Sequence, residues 1–158
     1  MGRYRINRQI RATPDQVFRA FTDPALVVDW MDATGVTDAT GPLDTPGTRY
    51  TLVIWGPWRF RTEIVRADRP HVHEISGVGP LGSAYRMVAT LRPAGGETDL
   101  DLVTEYRMPL GALGRWIDRR WIDREPRAMA NREVDRLVTL VSDKSVVPQK
   151  KGASRAAV

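Results

Sequence analysis

The feature that most constrains this chain is a helical pattern out of proportion to the 158 residues that carry it. From Pro109 to about Ser142, apolar residues recur at spacings of three and four: first Leu110, Leu113, Ile117 and Trp121, then, shifted in phase, Ala130, Val134, Leu137 and Val141. Proline suits the first helical position, where its missing N–H has no partner to lose, so Pro109 marks the start. Pro126 falls inside the pattern, removes one hydrogen bond and crowds the preceding turn, which predicts a bend near Arg124–Pro126. Straight, the stretch would measure about 50 Å at ~1.5 Å per residue. A chain of this size cannot surround such a helix, but it can wrap a sheet around one side of it.

The upstream sequence supplies that sheet. Arg3 to Ile10 alternates, with Tyr4, Ile6 and Ile10 on one side and Arg3, Arg5, Asn7 and Gln9 on the other; Arg8 breaks the apolar face. Thr13-Pro14-Asp15-Gln16 reads as a helix cap followed by proline and, three residues after the cap, glutamine. Asp23-Pro24 repeats the device before Ala25–Trp30, so two short helices follow the first strand. Val36 to Thr40 reads as a short strand and residues 41–47 as a loop. Thr48–Trp55 and Trp58–Ile64 alternate on either side of Gly56-Pro57, which predicts a hairpin with one apolar face. His71–Ser76 is the next strand, and the glycines of residues 77–82 predict a mobile loop. Around Gly95-Gly96, Tyr85, Met87, Ala89 and Leu91 share an inward face with Leu100, Leu102, Thr104 and Tyr106, while Asp99 and Asp101 face water.

The expected class is therefore α+β: a curved antiparallel sheet of about six or seven strands wrapped around a long C-terminal helix, with two short helices after the first strand. Residues 1–142 are expected to form one domain, and residues 143–158, polar, small and basic, a disordered tail.

Composition enters mainly by exclusion. An apolar content of 42% with 27% charged residues is that of an ordinary soluble globular chain. No apolar run approaches the roughly 18 residues of a membrane span, and no charged-then-apolar leader is visible, so the expected location is the cytoplasm without membrane insertion. The absence of cysteine excludes disulfides, thiolate nucleophiles and cysteine-held metals from within the chain. Of the net charge of +5, Lys144, Lys150, Lys151 and Arg155 against Asp143 place most in the tail. That leaves little for a folded basic groove, so no nucleic-acid partner is expected. Arginines on the long helix, such as Arg132 and Arg136, are interleaved with Glu133 and Asp135, which favours local ion pairs over a phosphate-binding stripe.

The order of elements, together with Ile6–Ile10, Thr13-Pro14-Asp15-Gln16-Val17-Phe18, Asp23-Pro24, Trp30 and Pro46-Gly47-Thr48, resembles the polyketide cyclase/dehydrase and lipid-transport families. These belong to the START-like (SRPBCC) superfamily, also named for the birch-pollen allergen. The resemblance extends over residues 3 to 142 and implies a helix-grip fold with an apolar cavity between sheet and helix. Strand alternation alone is equally compatible with a solid core.

By strand parity the inward set includes Tyr50, Leu52, Trp58, Phe60, Thr62, His73, Tyr85, Met87, Thr104 and Tyr106, faced by Ile117 and Trp121 on the helix, with Trp30 near the mouth. These are the expected ligand-binding residues, suited to a flat or lipid-like molecule, and the competing reading is that they are core. His73 is the leading general acid or base, with Tyr85 as its companion; a hydrogen-bonded structural histidine is the alternative. His71 and His73 alone do not make a metal site, since no third ligand is evident, and no cofactor is expected. Arg8 is placed either to meet an acidic ligand group or at an edge in water. Three functional readings follow. One is binding of a small hydrophobic or aromatic ligand by a monomer or homodimer. The second is a polyketide aromatase/cyclase or dehydratase using the same cavity, and the third a protein-interaction module with a filled core.

Overall fold

The computed structural model of the chain describes residues 1–54, 57–107 and 125–143. Its elements run β1 (Gly2–Ile10), α1 (Pro14–Thr22), α2 (Pro24–Trp30), β2 (Ala33–Thr37), β3 (Arg49–Ile54), β4 (Trp58–Asp68), β5 (Val72–Val78), a 3-10 turn (Pro80–Gly82), β6 (Ala84–Ala94), β7 (Glu97–Arg107) and α3 (Glu125–Ser142). Among the described residues, seven strands form one antiparallel sheet in the order β1-β7-β6-β5-β4-β3-β2. The expected α+β architecture is present: a sheet with the two short helices after its first strand and a C-terminal helix packed on it.

Local chemistry sets the boundaries. At α1, the Gln16 N–H donates to Thr13 Oγ1 at 3.4 Å while the Thr13 N–H donates to Gln16 Oε1 at 2.8 Å, closing the capping box. Asp23 caps α2 by accepting from the Ala25 N–H at 3.1 Å. Gly95 and Gly96 hold φ of +60° and +87°, the backbone that a two-residue hairpin requires at both positions, and this turn fixes the register of β6 on β7.

Three boundaries differ from expectation. β2 begins at Ala33 and stops at Thr37, because Asp38 turns the chain with φ +56°. Between β4 and β5 the register shifts at Ile64/Arg66, a bulge that leaves Val65 exposed. β5 continues through Val78, so the expected loop over residues 77–82 contracts to a turn. Its hydrogen bonds run from the Gly79 N–H to the Ser83 carbonyl (2.8 Å) and from the Ser83 N–H and Oγ–H to the Pro80 carbonyl (3.0 and 2.9 Å). The helix start at Pro109, the bend at Arg124 and the tail beyond residue 143 lie outside the described residues.

The core sits between the inner face of the sheet and the helices. α1 buries Val17, Phe18, Ala20 and Phe21, and α3 buries the expected stripe of Ala130, Val134, Leu137 and Val141. Against them stand Ile6, Ile10, Ala89, Leu91, Leu100 and Leu102, each large aliphatic side chain contributing about 2 kcal/mol by leaving water. The outer face carries exposed ion pairs such as Arg5 with Asp101 (2.6 Å) and Arg49 with Glu63 (3.0 Å), each worth about 0–1 kcal/mol. Asp99 is likewise exposed, as the alternation predicts. Among the described residues no helix is long and apolar enough to cross a membrane.

Candidate functional site

Register turns single inward residues into a line. Tyr50 on β3 stands opposite Thr62 on β4, Thr62 opposite Gly77 on β5, and Gly77 opposite Tyr85 on β6. Tyr85 in turn stands opposite Tyr106 on β7, and Tyr106 opposite Gly2 on β1. Directly opposed residues share a face, so this is one row of hydroxyls across the inner side of the sheet. The adjoining row is Ile64, Ile75, Met87, Thr104 and Tyr4. All four tyrosines of the chain therefore lie in two neighbouring rows of one face.

Glycine makes the row possible. A Cβ at Gly77 would overlap the Tyr85 ring, and one at Gly2 would overlap the ring of Tyr106. Bare backbone thus lets each ring lie down across the neighbouring strand. Tyr85 uses that freedom to bring its hydroxyl 2.7 Å from Thr62 Oγ1, over the intervening strand. Thr62 Oγ1 also lies 3.3 Å from the Phe60 carbonyl, so Thr62 donates there and accepts from Tyr85. Phe60 closes edge-on against Tyr85 with ring centroids 5.8 Å apart.

Burial keeps these phenols protonated. It pushes Tyr85 up to about 12, with the hydrogen bond to Thr62 pulling the other way. It also raises Tyr50, with the neighbouring Tyr85 adding to the effect. Tyr4 likewise rises to about 12, chiefly by burial, and less through the charges of Glu133 and Tyr106, with the Thr104 hydroxyl opposing. Tyr50 is 4% exposed, yet its hydroxyl makes no hydrogen bond among the described residues. Thr104 Oγ1 is buried without a partner of good geometry among the described residues. The row therefore offers neutral hydroxyls to whatever lies above it, and no unpaired cation. Arg8, on the same face further along β1, is held by α3: its Nη2 donates to Asn131 Oδ1 at 2.9 Å and its Nε lies 3.4 Å from Asp135 Oδ1.

The structure separates His73 from this group. The ring is 1% exposed, packed edge-on to Phe18 at 5.9 Å and beside Phe21 of α1. Its Nε2 lies 3.2 Å from the Leu43 carbonyl and so carries the proton, which leaves Nδ1 buried with no partner among the described residues. Desolvation lowers its pKa despite that hydrogen bond and the Asp44 charge, so it is neutral. Along β5, His73 stands four residues from Gly77, the partner of Tyr85, or about 13 Å at roughly 3.3 Å per residue. The expected His73–Tyr85 pair is thus not assembled, because α1 covers one end of the inner face and the hydroxyl row lies at the other.

Two tryptophans also fall elsewhere than expected. Trp30 is not at a mouth: it is 1% exposed, its Nε1–H donates to the Ala20 carbonyl at 2.9 Å, and it packs edge-on to Phe21, joining α2 to α1. Trp58 shares the inward parity but is 44% exposed at the start of β4. Leu52 and Met87 are buried on the inner face as expected, whereas Ile117 and Trp121 lie outside the described residues.

One group escaped the sequence reading. Glu133, half-buried on the flank of the α3 stripe, forms no hydrogen bond or ion pair among the described residues. Burial pushes its carboxyl up to about 7, with Asp32 adding to the rise and Arg136 and Arg132 opposing it. Its position beside Val134 and three residues after Ala130 is the signal that placed it near the inner stripe. A separate open groove of about 670 Å³ is lined by Asp29, Arg132, Asp135, Arg136, Thr139, Leu140 and Asp143. It includes none of the hydroxyl row, and its five charged residues suit an aqueous surface better than an apolar ligand.

Comparison with known proteins gives the same architecture. The family model described as polyketide cyclase/dehydrase and lipid transport matches residues 1–142. Among solved structures, protein MLL2253 from Mesorhizobium loti is similar at a TM-score of 0.72 and 17% identity, covering 90% of this chain and 98% of its own. Ara h 8.0201 is similar at a TM-score of 0.60 and 11% identity, covering 87% of this chain and 98% of its own. DynU16, from the dynemicin biosynthetic locus, aligns at a TM-score of 0.61 and 18% identity over 90% of this chain and 48% of its own. At these identities the structures speak for the fold alone. No curated protein matches the chain.

Proposed function

The chain belongs to the polyketide cyclase/dehydrase and lipid-transport family, and we propose that it binds a small, flat, uncharged hydrophobic or aromatic molecule between the inner face of the sheet and the C-terminal helix. The observation that carries this reading is the cross-sheet row Tyr50–Thr62–Gly77–Tyr85–Tyr106. The Tyr50 phenol, held protonated by burial, has its proton free to donate, so it suits a carbonyl or ether oxygen on an otherwise apolar ligand, while the Tyr85 hydroxyl, its proton given to Thr62, is left to accept. A carboxylate ligand would meet no free cation on the row and would be desolvated there without compensation. Family membership supports the apolar character of the ligand; the row supports the oxygen atoms on it.

The test is native mass spectrometry of freshly purified protein, followed by solvent extraction of any adduct and by titration with neutral aromatic ketones. The expected result is a stoichiometric small molecule, lost on denaturation, whose retention falls in Tyr50→Phe and Tyr85→Phe. A clean mass together with silent titrations would overturn the reading. The second reading, a cyclase or dehydratase using the same space, is favoured by the half-buried Glu133 carboxyl.

A further inference from the structure

We propose that one end of the sheet is a docking surface for an anionic lipid interface, in which Trp58, Val78 and Leu81 enter the headgroup layer and Arg59, Arg61 and Arg107 meet its phosphates.

Register brings these residues together. Apart from Met1, the exposed large apolar side chains among the described residues are Trp58, Val65, Val78 and Leu81, and of these four only Val65 lies away from this end. Val78 closes β5 opposite Arg61 of β4, and Trp58 opens β4 three residues further out. Ala84, opposite Val78, opens β6 and stands opposite Arg107, the last residue of β7. The turn that carries Leu81 joins β5 to β6 at the same end. A Cβ at Gly79 would overlap the ring of Phe60, so this turn lies against β4.

Leu81 is 76% exposed and holds φ +56°, a left-handed backbone that disfavours leucine and suits glycine. Neither water nor the backbone rewards a leucine there, whereas an apolar medium outside the chain does. The turn satisfies its own backbone, with the Gly79 N–H donating to the Ser83 carbonyl at 2.8 Å and the Ser83 N–H to the Pro80 carbonyl at 3.0 Å. Its tip can therefore leave water without stranding these groups. Trp58, an apolar ring with one polar N–H, suits the level of the headgroups.

Charge and shape name the partner. Arg59, Arg61 and Arg107 are exposed and form no ion pair among the described residues. The carboxylates nearest to them on their own strands are taken, Glu63 by Arg49 at 3.0 Å and Glu105 by Arg3 at 3.7 Å. A second copy meeting this end face to face would set arginine against arginine. Strand ends and a protruding turn offer neither a free strand edge nor a groove for a helix, the two features by which a folded chain receives a peptide segment. A fluid anionic surface moulds around protruding side chains and supplies phosphates to the arginines. The surface lies one residue beyond the hydroxyl row, since Arg61 precedes Thr62, Val78 follows Gly77 and Arg107 follows Tyr106, so docking turns that end of the row toward the lipid.

The test is flotation of the full chain, without added ligand, on vesicles of phosphatidylcholine alone or with about a third phosphatidylglycerol. The expected result is binding at least about tenfold tighter to the anionic vesicles, weakened by ~0.5 M salt. Leu81→Gly, which also relieves the backbone, should weaken binding about tenfold. Arg59→Gln/Arg61→Gln should weaken it roughly twentyfold, at about fivefold for each arginine. Val65→Ser, at the bulge, and Arg92→Gln, at the far end of β6, should bind like the parent. Melting curves confirm that each variant is folded. No binding to the anionic vesicles, or equal binding to both compositions, would overturn the proposal. So would binding that survives both Leu81→Gly and the arginine pair, or that falls as much in Arg92→Gln, because the attraction would then be diffuse. None of these outcomes bears on the ligand site, which is read without vesicles.

Discussion

Replacing Gly77 with alanine tests whether the hydroxyl row is built on a glycine. In an ordinary strand this change is favourable by about 0.5–1 kcal/mol, because glycine loses more backbone freedom on folding. Here the new Cβ meets the ring of Tyr85, which lies over Gly77 to reach Thr62. Crowding a packed ring costs about 1–3 kcal/mol. Moving it off the Thr62 hydroxyl gives up a buried hydrogen bond worth about 1 kcal/mol. The balance is a loss of about 2 kcal/mol, which for a chain of this length lowers the midpoint by roughly 4–8 °C. Thermal and urea unfolding of Gly77→Ala, Tyr85→Ala and the double variant measure it. Once Tyr85 is alanine there is no ring to displace, so adding Gly77→Ala should be neutral or slightly stabilising. Additive losses, or a Gly77→Ala protein as stable as the parent, would refute the reasoning.

Two further predictions concern pH. Tyr4 and Tyr85 are raised from 10 to about 12 and Tyr50 is raised as well, so the unfolded chain gives up these protons at lower pH than the folded one. Their contribution is complete below pH 10 and is lost as pH rises through about 12, and absorbance of ionised tyrosine at 295 nm should appear together with unfolding rather than before it. For His73 the sign is opposite: its folded pKa lies below the ordinary 6.5, so its contribution is intact above that pH and is lost on acidification. His73→Phe should flatten the acid side of the stability profile measured by urea titration, while leaving the binding of neutral aromatic probes unchanged; an unaltered profile would count against a neutral buried imidazole.

Much of the fold was legible because the information was local. Alternation fixed the face of Tyr50, Thr62, Tyr85 and Tyr106, and the caps at Thr13 and Asp23 fixed two helix starts to within a residue. The alignment of those four residues into one row was not legible as a whole. The glycine turn at Gly95-Gly96 implied that Tyr85 faces Tyr106, but joining β4 to β5 depends on a bulge at Val65 that no pattern announced. His73 was placed correctly on the inner face, yet parity does not reveal which end of that face α1 covers. Trp30 was expected near the mouth; only the fold-back of α2 on α1 shows its N–H reaching Ala20. Glu133 read as one more charge on a mixed helix, because its burial is made by α3 packing against β1 and α2, a tertiary fact.

The central claim is that the hydroxyl row receives an uncharged, oxygen-bearing aromatic molecule. Its most direct test is a paired calorimetric titration with 2-naphthol and 2-naphthoate at neutral pH, on the parent chain and on the Tyr50→Phe/Tyr85→Phe variant. The two probes share a flat ring and differ chiefly in charge. The account predicts that naphthol binds at least about tenfold more tightly than naphthoate, a difference of about 1.4 kcal/mol, and that the double variant erases most of this preference. Equal binding of both probes, or a preference for naphthoate, would contradict it.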